Sequence, residues 1–234
     1  MDLKKRGSLY LIPMPLGEGG SESLSFLIKE NLNRIDHYVV ERERTFRRFL
    51  KDILEFPRQE RLNLVEFGYG EDDFLLKKVE DGLDVGIVSE AGCPGIADPG
   101  AELVALAHKN NINVIPLSGP SSLLLSLMGS GFQGQEFHFH GYLPREKGSL
   151  VGKLRRIEQE VFHSGATQIF IETPYRNVAL MKTMLEILKK ETEITVGMDL
   201  TLPQQVIKRG KVKDWLGWDF QILDKRPAIF LLGK

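Results

Sequence analysis

The sequence predicts an α/β protein of two domains: an N-terminal parallel five-stranded sheet with flanking helices, and a C-terminal mixed sheet with helices. Three observations carry that expectation. Short apolar runs rich in β-branched residues alternate with longer runs of helical spacing from end to end. In the first half, each pair of strands is separated by a helix long enough for a crossover, which makes a parallel sheet the economical solution. In the second half, three strand-like runs follow one another closely, which leaves antiparallel pairing.

The elements follow in order. SLYLIP (8–13) and HYVVE (37–41) read as buried strands, and SESLSFLIKENLNRI (21–35) between them as a helix with serines to cap its start. RTFRRFLKDILEF (44–56) is predicted helical, LNLVEF a strand, DDFLLKKVEDG a helix ending at Gly82, DVGIVS a strand, GAELVALAHKN a helix and INVIPL a strand. Beyond them SLLLSLM reads as an apolar helix, EFHFHGYL as a strand, GKLRRIEQEVF as a helix, TQIFIE as a strand and YRNVALMKTMLEILKK as a long helix. EITVGMDL, PQQVIKRG and PAIFLLG close the chain as strands. The domains are expected over 1–118 and 119–234, with ligands gathering beyond the carboxyl ends of the first domain's strands.

Composition narrows the class. The 234 residues are 42% hydrophobic and 27% charged with a net charge of -1, an ordinary globular balance rather than the basic excess of many nucleic-acid binders. A single cysteine, Cys93, rules out an internal disulfide framework and fits a reducing compartment. No cysteine cluster offers a metal site. Pro13 and Pro15 interrupt the first apolar stretch, so the start does not read as a signal peptide, and no run approaches the roughly 20 apolar residues of a membrane span. The expectation is a cytoplasmic protein without membrane or metal partners.

Several motifs have bland readings. GSGFQG (129–134) has the spacing of a dinucleotide loop, but it follows a helix and precedes a strand, the reverse of the required context. His138 and His140 share a strand face with no third ligand in view, so packing is their expected role. The basic helix opening ERERTFRR (41–48) reads as a solvated face. Three glycine- and proline-rich loops are different: PMPLGEGG (13–20), SEAGCPGIADPG (89–100) and PLSGPSS (116–122) each follow a predicted strand and would open on one edge of one sheet. Glycines there let backbone groups approach a ligand, and this convergence is the bottom-up argument for a binding site.

Those loops, in that order, resemble the tetrapyrrole methylase superfamily of S-adenosylmethionine-dependent methyltransferases, most closely its ribosomal RNA small-subunit methyltransferase I branch. MPLG, VSEAGCPGIADPG, PLSGPSS, GYLPREK and ETPYR stand in register with that branch's motifs, from Leu9 to Gly233. Two segments depart from it: Glu41-Arg42-Glu43-Arg44 replaces E-D-T-R, and EFGYGEDD (66–73) replaces H-D-H-N-E. The resemblance implies a homodimer with S-adenosylmethionine in a cleft between the two domains. It places cofactor contacts at Pro13, Leu16, Cys93, Ile96, Ser121 and Ser122, and at Ile171, Gly197, Met198 and Ala228.

Methyl transfer from a sulfonium needs alignment and exclusion of water more than acid–base machinery, in keeping with a chain that shows no catalytic triad. Glu41, Glu172 and Asp199, all at predicted strand ends, are the candidate bases for an acceptor hydroxyl, Glu41 first because it matches the family's acidic motif. For a ribosomal RNA acceptor, Arg44, Tyr142, Arg145, Lys147 and Arg176 are the expected substrate contacts. The basic stretches REKGSLVGKLRR (145–156) and IKRGKVK (207–213) are expected to form a basic rim. Three classes stay open on the residues: methylation of a ribose 2′-hydroxyl of small-subunit ribosomal RNA, methylation of a small molecule such as a tetrapyrrole, and a cofactor-binding protein that has lost catalysis.

Overall fold

The structure, a computed structural model, describes residues 6–54 and 59–234. The chain divides into two compact units, Met1–Ser121 and Ser122–Lys234, against the expected division after residue 118.

The first unit follows the predicted alternation: β1 (Ser8–Leu11), α1 (Phe26–Arg34), β2 (His37–Val40), α2 (Glu43–Ile53), β3 (Asn63–Glu66), α3 (Glu71–Glu80), β4 (Val85–Val88), α4 (Ala101–Lys109) and β5 (Asn113–Pro116). Its five strands are all parallel in the order β3-β2-β4-β1-β5. Side chains alternate across the sheet. Tyr38, Val40 and Val88 pack with Ile28, Leu32, Phe46 and Leu50 of α1 and α2, whereas Leu9, Val39, Val85 and Ile87 pack with Leu75, Val79, Leu103 and Ala107 of α3 and α4. Both faces are therefore covered, as a parallel sheet requires. The α1 helix starts later than its pattern predicts. Ser21–Ser23 form a separate 3-10 turn, and Ser25 caps the helix by accepting the Ile28 amide at 3.4 Å. The last residues of the predicted helix 44–56 and the basic start of the chain lie outside the described residues.

The second unit contains α5 (Ser122–Ser130), β6 (Phe137–Tyr142), α6 (Lys147–Ser164), β7 (Thr167–Ile171), α7 (Asn177–Ile187), β8 (Glu193–Met198), β9 (Val206–Lys211) and β10 (Ala228–Gly233). The sheet order is β6-β7-β10-β8-β9. β6 and β7 are parallel, joined through α6, and the other pairs are antiparallel. The last strand thus does not extend the β8–β9 pair; it inserts between β7 and β8. α6 begins five residues before its predicted start at Gly152, because the Glu146 carboxylate accepts the Gly148 and Ser149 amides at 2.7 and 2.6 Å and caps it there. Leu150, Leu154, Ile157 and Val161 then form one buried stripe with Met181, Met184, Phe230 and Trp215. The segment between β9 and β10 holds two 3-10 helices, Val212–Gly217 and Phe220–Leu223, which no periodicity announced; Trp215 is fully buried and donates its indole N–H to the Gly210 carbonyl at 2.9 Å.

Several singled-out motifs resolve as structure. The glycine motif lies at the end of α5, where the carbonyls of Ser130 and of Gly131 just beyond it accept from the Arg209 guanidinium at 3.1 and 2.9 Å; the motif closes a helix C-terminus. The His140 ring is taken at both nitrogens, by Gln168 at 2.8 Å and Lys153 at 3.1 Å, and burial lowers its pKa. It is a neutral packing histidine. Among the described residues, no group of three His, Cys, Asp or Glu side chains stands close enough to hold a metal ion, and no helix is long and apolar enough to cross a membrane.

Candidate functional site

Strand order decides which loops of the first unit meet. At the carboxyl edge the loop after β4 stands between those after β2 and β1, and the loop after β5 stands beside that after β1. The contacts follow that sequence. The Glu41 carboxylate, at the end of β2, accepts the Glu90 amide at 3.1 Å. Met14 and Gly92 exchange main-chain hydrogen bonds at 2.8 and 3.1 Å, a short antiparallel bridge between the first and second glycine-rich loops. Gly119 lies so close to Pro13 that a Cβ there would stand 2.3 Å from the proline ring. The Cys93 thiol reaches over the β1 loop to the Pro120 carbonyl, 3.5 Å away. The three loops therefore form one surface. Within it, Ala97 holds a left-handed backbone (φ 62°) in the turn between Gly95 and Gly100, a conformation that costs a non-glycine residue free energy and is retained most often where a site needs it.

The electrostatics of this edge are negative. Asp98 is half-buried, and its pKa is pushed up to about 6, first by burial and then by the Glu41 and Glu90 carboxylates, with the Ser89 hydroxyl offsetting part of the rise. Burial and the Asp98 charge likewise raise the Cys93 thiol, so it stands as a neutral thiol and not as a nucleophilic thiolate. Asp98 is the residue of this edge that the reading of the sequence passed over. Its signal was present, since it is the second acid of the loop SEAGCPGIADPG.

Two cavities border the same unit beside α2. One, of about 310 Å³, is walled by the Met14–Ser21 loop, by Thr45, Arg48 and Asp52 of α2, and by Glu90 and Ala91. The other, of about 600 Å³, runs along the outer side of α2 past Arg44. Of the first-unit residues named from the sequence, Pro13 is buried in the loop contact, Leu16 lies against Gly92, Ile96 is 53% exposed and Ser121 is half-buried.

In the second unit, Ile171, Gly197, Met198 and Ala228 come together at one sheet end, because Ala228 pairs with Met198, and Ile229 with both Ile171 and Gly197. Two of them have limited access. The Met198 side chain is 1% exposed and lies in the core with Phe230, so only its main chain can meet a ligand. Gly197 is where α5 closes on the sheet: a Cβ would stand 2.6 Å from the Ser126 hydroxyl. Ser122 is the first residue of α5.

The remaining candidate bases are already engaged. Glu172 is buried, accepts the Thr173 amide at 2.7 Å and pairs with Arg176 at 3.2 Å. Asp199, also buried and with a left-handed backbone (φ 46°), pairs with Arg226. Of the expected RNA contacts, Tyr142, Arg145 and Lys147 are exposed. The stretch 207–213 is largely spent within its own unit: Lys211 and Lys213 both hold Glu191 at 2.7 Å, Arg209 pairs with Glu193, and Lys208 lies over Trp215 and Trp218.

The sequence pattern of the tetrapyrrole (corrin/porphyrin) methylases matches residues 8–215, nearly the whole of both units. The chain belongs to the tetrapyrrole methylase family. Among the relatives of this methylase, the protein named ribosomal RNA small subunit methyltransferase I of Micromonospora olivasterospora is 32% identical over 213 residues, 89% of this chain and 64% of its own. The protein of the same name from Halalkalibacterium halodurans is 31% identical over 91% of this chain and 71% of its own. The chain thus spans about two thirds of the length of these relatives. The crystal structure of the methyltransferase CobJ shares the fold, with a TM-score of 0.64 at 16% identity, covering 97% of this chain and 94% of that one.

Proposed function

We propose that this methylase transfers a methyl group from S-adenosylmethionine to a ribose 2′-hydroxyl of small-subunit ribosomal RNA, working in the cytoplasm as a homodimer. The observation that supports small-subunit ribosomal RNA as the acceptor is the run of relatives named ribosomal RNA small subunit methyltransferase I along nine-tenths of the chain. The observation that supports the cofactor is the carboxyl edge itself. Three carboxylates, Glu41, Glu90 and Asp98, gather there, and after burial it is the first two that raise Asp98 to about 6; a cationic ligand is what such an edge favours.

When bound, the cofactor supplies a methyl group already activated on a sulfonium. Pro13, Leu16, Cys93, Ile96, Ser121 and Ser122, with Ile171, Gly197, Met198 and Ala228, would hold it, chiefly through main-chain groups. The chain's own part is alignment and water exclusion. Glu41 ties the β2 end to the Glu90 amide and keeps one carboxylate oxygen without a described partner, which leaves it better suited than Glu172 or Asp199 to accept a hydroxyl proton. Those two would have to leave an ion pair with a partly exposed arginine to do so.

The test incubates the purified protein with methyl-labelled S-adenosylmethionine and extract from cells lacking its gene, and counts label in RNA, protein and small molecules separately. Label in small-subunit RNA, lost in Glu41→Ala and Cys93→Trp, is the expected result. Label confined to small molecules, or none despite cofactor binding, refutes the RNA reading.

A further inference from the structure

The α2 helix turns Phe46, Phe49 and Leu50 into the core and presents a row of cations outward. Arg44, Arg48 and Lys51 stand four and three residues apart, so they line about 10 Å of one helix side. All three are exposed and have no partner among the described residues. The 600 Å³ groove they border is completed by Glu43, Arg47, Gln59 and Glu66, and among the described residues no apolar side chain lines its wall. Its acids are already occupied: Glu43 pairs with Arg47 at 2.8 Å, and the Glu66 carboxylate accepts the Glu43 amide at 2.8 Å, at the start of α2. Among the described residues the groove is left with unpaired positive charge. Arg48 also lines the 310 Å³ cavity walled by the first glycine-rich loop and by Glu90 and Ala91, so one side chain joins the groove to the site loops.

We propose that this face of α2 is a docking surface for the phosphate backbone of single-stranded RNA, which it leads over Arg48 to the carboxyl-edge loops. The inference rests on the reading of the protein as an RNA methyltransferase. A protein partner would be expected to find some apolar ground at the centre of its contact; a wall whose described residues are all charged or amide-bearing fits a polyanion, whose backbone is held by Arg and Lys with little regard to sequence.

The test compares wild type, Arg44→Gln/Arg48→Gln/Lys51→Gln, and a control of equal charge change at exposed lysines elsewhere, Lys77→Gln/Lys109→Gln/Lys182→Gln. Binding of small-subunit RNA is measured across a salt series, with melting curves to verify folding and with S-adenosylmethionine affinity and methyl transfer in parallel. The α2 variant is expected to bind RNA at least about tenfold more weakly at about 150 mM salt, and its log–log salt slope to fall by roughly 2, given about 0.7 per phosphate contact on a single strand. Its KM for RNA rises while cofactor affinity and the control stay as in wild type. Binding within twofold of a wild type that methylates RNA overturns the docking surface and leaves the RNA reading intact. Equal loss in the control reduces the effect to bulk charge and also overturns it. Loss on intact subunits but not on naked RNA assigns the face to a ribosomal protein instead. A wild type that neither binds nor methylates RNA removes both proposals.

Discussion

Asp98→Asn removes a charge that the fold holds at a cost, and the cost can be worked out. The carboxyl has a pKa of about 6 in the folded chain against an ordinary 3.8, through burial and the neighbouring Glu41 and Glu90. Between those values the folded chain keeps a proton that the unfolded chain has released, so stability falls as pH rises through the window and the full cost is present above pH 6. At 1.36 kcal/mol per decade the undiscounted figure is about 3 kcal/mol; Asp98 stands half in water, and screening reduces it to roughly 1–1.5 kcal/mol. Asparagine keeps the shape and removes the cost. Denaturant unfolding at pH 7.5 should therefore show the variant gaining about 1–1.5 kcal/mol over its value relative to wild type near pH 4, or about 2–6 °C in Tm. Isothermal titration at pH 7.5 should show the opposite for function, with binding of cationic S-adenosylmethionine weakened more than that of neutral S-adenosylhomocysteine. A variant destabilised equally at both pH values, or one that weakens both ligands equally, would refute the reasoning.

Glu41→Gln and Glu41→Ala separate anchoring from basicity. If Glu41 is the base, both variants lose kcat, and the wild-type pH–rate limb disappears in both; if it only anchors Glu90, glutamine retains activity because its amide oxygen still accepts that N–H. Gly119→Ala drives a Cβ into the Pro13 ring, and because neither group is a flexible side-chain end, a loss of about 1–3 kcal/mol with reduced cofactor affinity is expected in thermal melts and titration. Glu158→Ala leaves the Lys189 amide and the Thr192 hydroxyl of the second unit without their shared buried acceptor, which should lower the urea midpoint by the equivalent of about 2–3 kcal/mol at unchanged m. Isosteric Glu158→Gln should lose less.

The alternation of apolar runs was sufficient for the ten strands and seven α-helices of the described residues, because helix and strand periods are local properties of the chain. The segments it missed have no such period. The 3-10 helices around Trp215 are short and take their shape from one buried indole, and the early start of α6 rests on a single capping carboxylate, Glu146. The three glycine-rich loops were legible as candidate ligand loops because each follows a strand and carries residues whose backbone chemistry is distinctive. What the chain order does not show is who neighbours whom. Placing β4 between β1 and β2 brings Glu41 to the Glu90 amide and Met14 to Gly92, and inserting β10 between β7 and β8 lines up Ile171, Gly197 and Ala228. The lifted Asp98 pKa, the ion pairs within 207–213 and the row on α2 without partners among the described residues arise in the same way, since a charge is defined by what faces it and that is a property of tertiary contacts. By itself the sequence determined the elements, the family and the loops that could bind. Only the tertiary structure decided which carboxylates share a field and which cations are left free for a partner, because both depend on distances between residues far apart in the chain.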